Sequence, residues 1–379
     1  MNKPKIRFKG FEGEWKERKF GDFGHVEMCK RIFKYQTSSQ GEIPFYKIGT
    51  FGFQPDAFIS RSLYEDYRKK FSYPKKGDIL ISAAGTIGRT IEYKGEECYY
   101  QDSNIVWLNH NEEIDNAYLK QLYSLVTWSS LEGATIKRLY NSNILNTHFN
   151  LPSLPEQRAL ASYFTSLDAQ ISASTSRLSS LKQIKAASLL NMFPQKGETV
   201  PRVRFKGFQG EWKERKLGEV CLVNRGVRIT RKDLSNAEGY PVFQNTNYPL
   251  GFYQYYNVEA KNPFVIIGGS AGLIGFSSKE FWAADDCVYF KDKEETDKSF
   301  LYNILCSHEA EIKKEVRGSS VPRLDRSILE KLRINLPSLP EQRAIASYFT
   351  ALDAQITLQR ERLEKLKQIK AACLEKMFA

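Results

Sequence analysis

Long apolar runs are missing from this chain. No stretch approaches the roughly 18 residues that a membrane span needs, and the opening, MNKPKIRFKGFEGEW, lacks the apolar core of a secretory signal, so a cytoplasmic protein is expected. Cysteine pairs are missing too. Cys29, Cys98, Cys221, Cys287, Cys306 and Cys373 are scattered without a C-x-x-C, and the four histidines form no H-x-x-x-H. Neither a zinc site nor a disulfide framework is therefore expected. The glycine-rich stretches are not followed by Gly-Lys-Ser/Thr and do not open a helix as G-x-G-x-x-G does, which excludes a Walker A loop and a dinucleotide fingerprint.

What is present is the balance of an ordinary globular protein, 41% hydrophobic and 26% charged, in a chain of 379 residues, enough for two or three domains. The net charge of +12 calls for a polyanionic partner, with nucleic acid the first candidate.

Internal repetition organises everything else. Residues 4–21 (PKIRFKGFEGEWKERKFG) and 201–218 (PRVRFKGFQGEWKERKLG) share 14 of 18 positions, and residues 151–172 share 19 of 22 with residues 336–357. RLSSLKQIKAASLLNMF from Arg177 returns as RLEKLKQIKAACLEKMF from Arg362. The segments between, 22–150 and 219–335, have little sequence in common. Each is electrically balanced, with 15 basic against 15 acidic residues in the first and 16 against 16 in the second, so the whole basic excess lies in the repeated blocks. One frame presenting two different inserts suggests one scaffold with two reading heads.

Leu160, Phe164, Leu167, Ile171, Ser174, Leu178 and Leu181 alternate in steps of four and three, and Ile345, Phe349, Leu352, Ile356, Gln359, Leu363 and Leu366 repeat that spacing. This is the a/d seam of a coiled coil. Each helix is expected to open at Pro155 or Pro340, with Glu156 or Glu341 complementing the positive end of the dipole. A helix from 155 to 193 spans about 57 Å, and pairing along the seam requires the two helices to run antiparallel. The expected architecture is α+β: a mixed α/β domain over 1–150, a helix over 151–193, a linker over 194–200, a second domain over 201–335 and a second helix over 336–379, with an internal pseudo-twofold repeat. Beyond Leu181 and Leu366 the seam shifts to Ile184 and Leu189, and to Ile369 and Leu374, where a change of packing partner is expected.

Both inserts read as several short strands. In the first, Ile79 to Ala84 turns through Gly85-Thr86-Ile87-Gly88 into Arg89; in the second, Val265 to Ile267 turns through a glycine-rich stretch holding Ser270. Such turns let backbone approach a phosphate, and a tight hairpin is the competing reading. Arginine pairs with guanine, and asparagine or glutamine with adenine, on major-groove edges. The candidate DNA-binding residues are Gly85, Thr86, Gly88, Arg89, Gln101, Asn104, Lys137, Arg138, Tyr140 and Asn141 in the first insert. In the second they are Arg225, Arg228, Gln244, Asn245, Asn247, Tyr248, Ser270, Arg323 and Arg326.

The F-x-G-F-x-G-E-W blocks at Phe8–Trp15 and Phe205–Trp212, the G-T-I-G turn at Gly85–Gly88 and the L-P-x-L-x-E-Q-R starts at Leu151–Arg158 and Leu336–Arg343 together resemble the specificity subunits of type I restriction-modification systems. The likeness covers essentially the whole chain. The second insert departs from it, carrying Gly272-Leu273-Ile274-Gly275 in place of G-T-I-G.

The resemblance implies two target-recognition domains, each reading half of a split double-stranded DNA target, with the repeated helices setting the gap. It implies two methyltransferase subunits docked on the helix starts, at Pro155, Glu156, Gln157, Arg158, Pro340, Glu341, Gln342 and Arg343, and two restriction-translocase subunits. On this reading the chain is not an enzyme and binds no cofactor or metal, while S-adenosylmethionine, ATP and magnesium belong to the partner subunits. The N-P-P-Y motif expected of an adenine methyltransferase is indeed absent, since Asn262-Pro263-Phe264 lacks the second proline. The competing readings are a coiled-coil adaptor that binds only proteins, and a nuclease with an acidic site.

Overall fold

The computed structural model describes residues 3–126, 128, 138–236 and 238–378. The chain divides into two compact units, Met1–Ala173 with Leu363–Ala379, and Ser174–Arg362.

The first unit runs β1 (Lys16–Lys19), β2 (Gly24–Glu27), β3 (Ile43–Tyr46), β4 (Phe58–Ile59), α1 (Arg61–Lys70), β5 (Ile79–Ser82), β6 (Thr90–Glu92), β7 (Tyr99–Tyr100), β8 (Ile105–His110), α2 (Asn116–Leu125), α3 (Asn141–Leu145) and β9 (His148–Leu151), and continues into the start of the long helix α4 (Leu154–Asn191). Its strands form an antiparallel sheet in the order β2-β8-β5-β6, a three-stranded sheet β4-β3-β7 with β3 and β7 parallel, and the antiparallel pair β1-β9. Helices α1 and α2 start where Ser60 and Asp115 accept the backbone N–H of Leu63 and Tyr118 at 3.3 and 3.0 Å, satisfying donors that the first turn leaves free.

The apolar runs ILIS and IVWL of β5 and β8 are buried on both faces because each face of the sheet has its own cover. Ile79, Ile81, Val106 and Leu108 pack towards α2 and the long helices, with Tyr118, Leu119, Phe164 and Met377. Leu80, Ile105 and Trp107 face the smaller sheet, with Ile43, Phe45, Tyr64 and Tyr99.

In the second half of the chain β10 (Lys213–Lys216), α5 (Leu217–Val220), β11 (Cys221–Arg225), β12 (Tyr240–Phe243), β13 (Gly251–Tyr253), β14 (Asn262–Ile266), β15 (Ile274–Ser277), β16 (Trp282–Ala283), β17 (Cys287–Asp292), α6 (Lys298–Ser307), α7 (Glu309–Lys314), α8 (Arg326–Lys331) and β18 (Arg333–Leu336) lead into α9 (Leu339–Met377). The sheets are β11-β17-β14-β15, β13-β12-β16 and β10-β18. Every strand of the first domain thus has a counterpart nine strands later, with the same neighbours and the same parallel pair, β12 and β16. The inserts, unalike in sequence, share one topology.

The long helices pair antiparallel within each unit. In the first, Tyr163 meets Cys373 and Asp168 meets Lys370 at 2.6 Å; in the second, Ser174 meets Gln359, Lys185 meets Asp353 at 2.6 Å and Ser188 meets Tyr348. Leu160, Phe164, Leu167, Ser174 and Leu181 are buried along α4, as are Ile345, Phe349, Leu352, Ile356, Gln359 and Leu363 along α9. Beyond the seam the helix pair joins the domain cores: Leu189 packs on the cluster that holds Phe193, Trp212 and Phe349, and Ile369 and Leu374 on the one that holds Trp15, Phe149 and Phe164. Ile184 stays exposed. Among the described residues no helix is long and apolar enough to cross a membrane.

Candidate nucleic-acid interface

Each domain carries a four-residue glycine turn between the inner strand and the edge strand of its larger sheet. After β5, Gly85 and Gly88 take φ of 64° and 82°, a region that only glycine enters without strain. The Gly88 N–H donates to the Ser82 carbonyl at 3.0 Å, while the Ser82 hydroxyl donates to the Thr86 carbonyl and accepts the Arg89 N–H. After β14 the matching residues are Gly269 and Gly272, with φ of 78° and 85°, and the Gly272 N–H donates to the Ile266 carbonyl at 2.8 Å. The counterpart of Gly85-Thr86-Ile87-Gly88 is therefore Gly269-Ser270-Ala271-Gly272. The similar string Gly272-Leu273-Ile274-Gly275 is three residues out of register with that turn. Gly275 lies inside β15, where a Cβ would sit 2.1 Å from the Phe264 ring.

Three further segments meet the first turn. The strand-like segment at Arg138 and Leu139 bridges it, with the Leu139 N–H on the Ala83 carbonyl at 2.8 Å and the Arg138 guanidinium on the Ser103 carbonyl at 2.9 Å. The loop between β7 and β8 supplies Gln101, whose side-chain oxygen accepts the Ile48 N–H, and Asn104, whose carbonyl accepts the Ala83 N–H. Arg89 donates to the Phe51 carbonyl at 2.9 Å and lies 5.0 Å from the centroid of the exposed Phe53 ring. The loop after β2 joins through Arg31, 2.8 Å from Asp102.

The second domain repeats the assembly with other side chains. Gly268 bridges Arg323, whose guanidinium reaches Asp286 at 3.1 Å; Ser270 donates its N–H to the Asn245 carbonyl at 3.0 Å; Gln244 lies 3.5 Å from Asp285. Arg225 donates to the Asp285 carbonyl at 2.6 Å, and Asn247 to that of Ile274 at 3.4 Å. Gly85, Thr86, Ser270, Asn245, Tyr248 and Arg228 are all exposed.

Some candidates stand apart or outside. Lys137 lies outside the described residues. Tyr140 and Asn141 are exposed at the start of α3, next to the bridging segment but without a hydrogen bond to the turn. Arg326 sits on α8, pairs with Glu330 at 3.2 Å and faces α5 rather than the turn. Lys30, Arg31 and Lys34 of the first loop, and Arg231 and Lys232 of its counterpart, are basic residues at matching places that are not among the candidates. The shared pair Arg31-Ile32 and Arg228-Ile229 was the available signal, with both isoleucines buried at 9% exposure.

Glu156 and Gln157 are buried, as are Glu341 and Gln342. Arg7 grips Glu156 in a bidentate pair at 2.7 and 2.7 Å, and Arg204 grips Glu341 at 2.7 and 2.8 Å; the carboxylate hydrogen bond raises the pKa of each arginine. Gln157 accepts the Asp115 N–H at 2.9 Å and donates to the carbonyls of Glu113 and Pro152, and Gln342 does likewise with Asp297 and Pro337. These four side chains fasten the helix starts to their own domains and offer no outward face, unlike Pro155, Arg158, Pro340 and Arg343, which are exposed. Among the described residues no group of three His, Cys, Asp or Glu is placed to hold a metal.

The duplicated fold, with one loop constellation built twice, is that of known DNA specificity proteins. The family described as the type I restriction modification DNA specificity domain matches residues 12–183 and again 209–368. The chain belongs to that family. It is 56% identical over 143 residues to a putative type I restriction enzyme specificity subunit of Haemophilus influenzae, a match covering 38% of this chain and 37% of that protein. A putative specificity subunit of Methanocaldococcus jannaschii is 22% identical over 78% of this chain and 76% of its own length. The fold is that of the type I restriction-modification S subunit from M. genitalium, with a TM-score of 0.74 at 17% identity, covering 100% of this chain and 99% of that one.

Proposed function

We propose that the chain reads a split double-stranded DNA target, one half with each domain, and that the paired helices α4 and α9 set the gap between the halves. The observation that carries this reading is the strand-for-strand equivalence of the two domains around the same glycine turn, each dressed with different side chains. Arg89, Gln101 and Arg138 belong to the first, and Gln244, Asn245 and Arg323 to the second. Constant backbone positions the DNA and variable side chains read base edges. Two methyltransferase subunits dock at the helix starts, through the exposed Pro155, Arg158, Pro340 and Arg343 rather than the buried Glu and Gln between them, and two restriction-translocase subunits complete the enzyme. S-adenosylmethionine, ATP and magnesium act on those partners, and this chain supplies recognition alone.

The test is to map methylated adenines in cells with and without this gene, then with residues 219–335 exchanged for those of a relative. One half-site should change while the other half-site and the gap persist. A change in both half-sites together would refute independent reading. An unaltered methylation map without the gene would instead favour a protein-binding adaptor.

A further inference from the structure

We propose that Phe33 and Tyr35, at the tip of the loop after β2, form an aromatic platform that stacks on a base of the first half-site, a device that the second domain lacks. The proposal rests on the DNA-reading role given above.

The two rings lie 9° from parallel with centroids 5.7 Å apart, and they stand in the open, with Phe33 48% and Tyr35 83% exposed. Their backbone is fixed. The Phe33 N–H donates to the Gln36 side-chain oxygen at 2.9 Å, the Gln36 N–H returns to the Phe33 carbonyl at 2.9 Å, and the Thr37 hydroxyl caps the Lys34 carbonyl at 2.8 Å. Exposing two stacked rings to water is unfavourable unless a partner covers them.

The fold does not require them. The second domain closes the same single turn of 3-10 helix at Arg231–Asp233, where the Thr230 N–H donates to Asp233 at 3.2 Å. The residues in the places of Phe33 and Tyr35 are Thr230 and Lys232. The backbone therefore forms equally well with polar side chains, and the rings serve something outside the domain.

Charge identifies the partner. The stretch Lys30-Arg31-Ile32-Phe33-Lys34-Tyr35-Gln36 carries three cations and no acid, and Arg31 ties it through Asp102 to the loop that also holds Arg138. A planar apolar face set among cations matches a nucleobase between phosphates, and aromatic stacking on bases is largely indifferent to sequence. The first half-site is then gripped by stacking as well as by charge at this loop, whereas the matching loop of the second domain, with Thr230 and Lys232, has charge alone.

The experiment uses the full chain assembled with its methyltransferase partner on its mapped target duplex, with 2-aminopurine placed in turn at each position of the first half-site. Tyr35→Ala should weaken binding about ten- to a hundredfold, leave the slope of log affinity against log salt unchanged, and remove a fluorescence change seen at one position with the wild-type complex. Tyr35→Phe should retain both. Lys34→Ala should instead reduce the salt slope by about one, and thermal unfolding checks that each variant is folded. Wild-type affinity in Tyr35→Ala would overturn the proposal, as would lost affinity with the fluorescence pattern intact. In either case a wild-type complex that still binds and methylates the split target leaves the DNA-reading role standing.

Discussion

Arg7 and Glu156, 149 residues apart, face each other in a bidentate ion pair, and Arg204 and Glu341 repeat it in the second domain. The two partners differ in exposure: Glu156 is almost wholly buried, whereas the Arg7 side chain is 18% exposed and also donates to the carbonyls of Gly13 and Glu12. Removing the arginine strands a carboxylate in the interior, whereas removing the charge of the glutamate leaves a guanidinium with other acceptors. Arg7→Ala should therefore destabilise the first unit by about 2–4 kcal/mol, and Glu156→Gln by clearly less. Urea unfolding of both variants checks the order; the reverse ranking would contradict the clamp.

Two glycines three residues apart have different reasons to be glycine. Gly275→Ala drives a methyl into the Phe264 ring inside the sheet and should cost about 1–3 kcal/mol of stability, with the second half-site still read at low temperature. Gly272→Ala meets a left-handed backbone at φ of 85° and the Lys313 Cγ at 2.9 Å, with the Lys313 Cα behind it at 3.4 Å. It should cost about 1–2 kcal/mol and shift the turn that presents Ser270, weakening methylation through the second half-site. Equal effects of both on methylation after correction for stability would count against the turn as part of the interface.

Burial pushes the thiols of Cys29, Cys98, Cys221 and Cys306 up to about 12 and that of Cys287 well above its ordinary value, and it raises Tyr73, Tyr99 and Tyr100. In the unfolded chain these groups ionise near their ordinary values, 9.0 for cysteine and 10.0 for tyrosine. A folded pKa above the unfolded one means full stability below pH 9 and progressive loss as pH rises towards the folded values. The urea midpoint should accordingly fall from about pH 9 upward, and these five thiols should react slowly with Ellman's reagent at pH 8 until denaturant is added. A midpoint unchanged to pH 11 would show that the groups are not buried as described.

The frame of the molecule was legible because it repeats and is helical. Leu160, Phe164 and Leu167 advertise their face by spacing alone, and a near-identical copy fixes the pairing. The common topology of the inserts was hidden because a β ladder is held by backbone hydrogen bonds, which place no demand on side-chain identity beyond alternating burial. The string Gly-Leu-Ile-Gly imitated Gly-Thr-Ile-Gly three residues out of register, and only the bond from the Gly272 N–H to the Ile266 carbonyl reveals the true turn. Glu156 and Gln157 read as surface charge and polarity at a helix start, since nothing local announces that Arg7 and the Asp115 N–H will enclose them.

Gln359 donates to both the hydroxyl and the carbonyl of Ser174, at 2.6 and 3.1 Å, in a buried polar layer of the helix pair. This contact dictates how a lengthened spacer must be built. Inserting arbitrary heptads after Ser174 and Gln359 would part the two and leave each buried polar group without its partner. Duplicating residues 168–174 and 353–359 instead places a serine opposite a glutamine twice, because the helices are antiparallel, and it repeats Asp168 and Asp353 as well. Seven added residues preserve the a/d seam and lengthen each helix by roughly 10 Å, about three base pairs of B-DNA at 3.4 Å each. If the paired helices are the spacer, the lengthened chain should methylate the same two half-sites with a gap wider by about one to three base pairs, bending of DNA absorbing the remainder. Sequencing of methylated sites in cells carrying it decides the matter: an active enzyme with an unchanged gap would mean that α4 and α9 do not set the spacing.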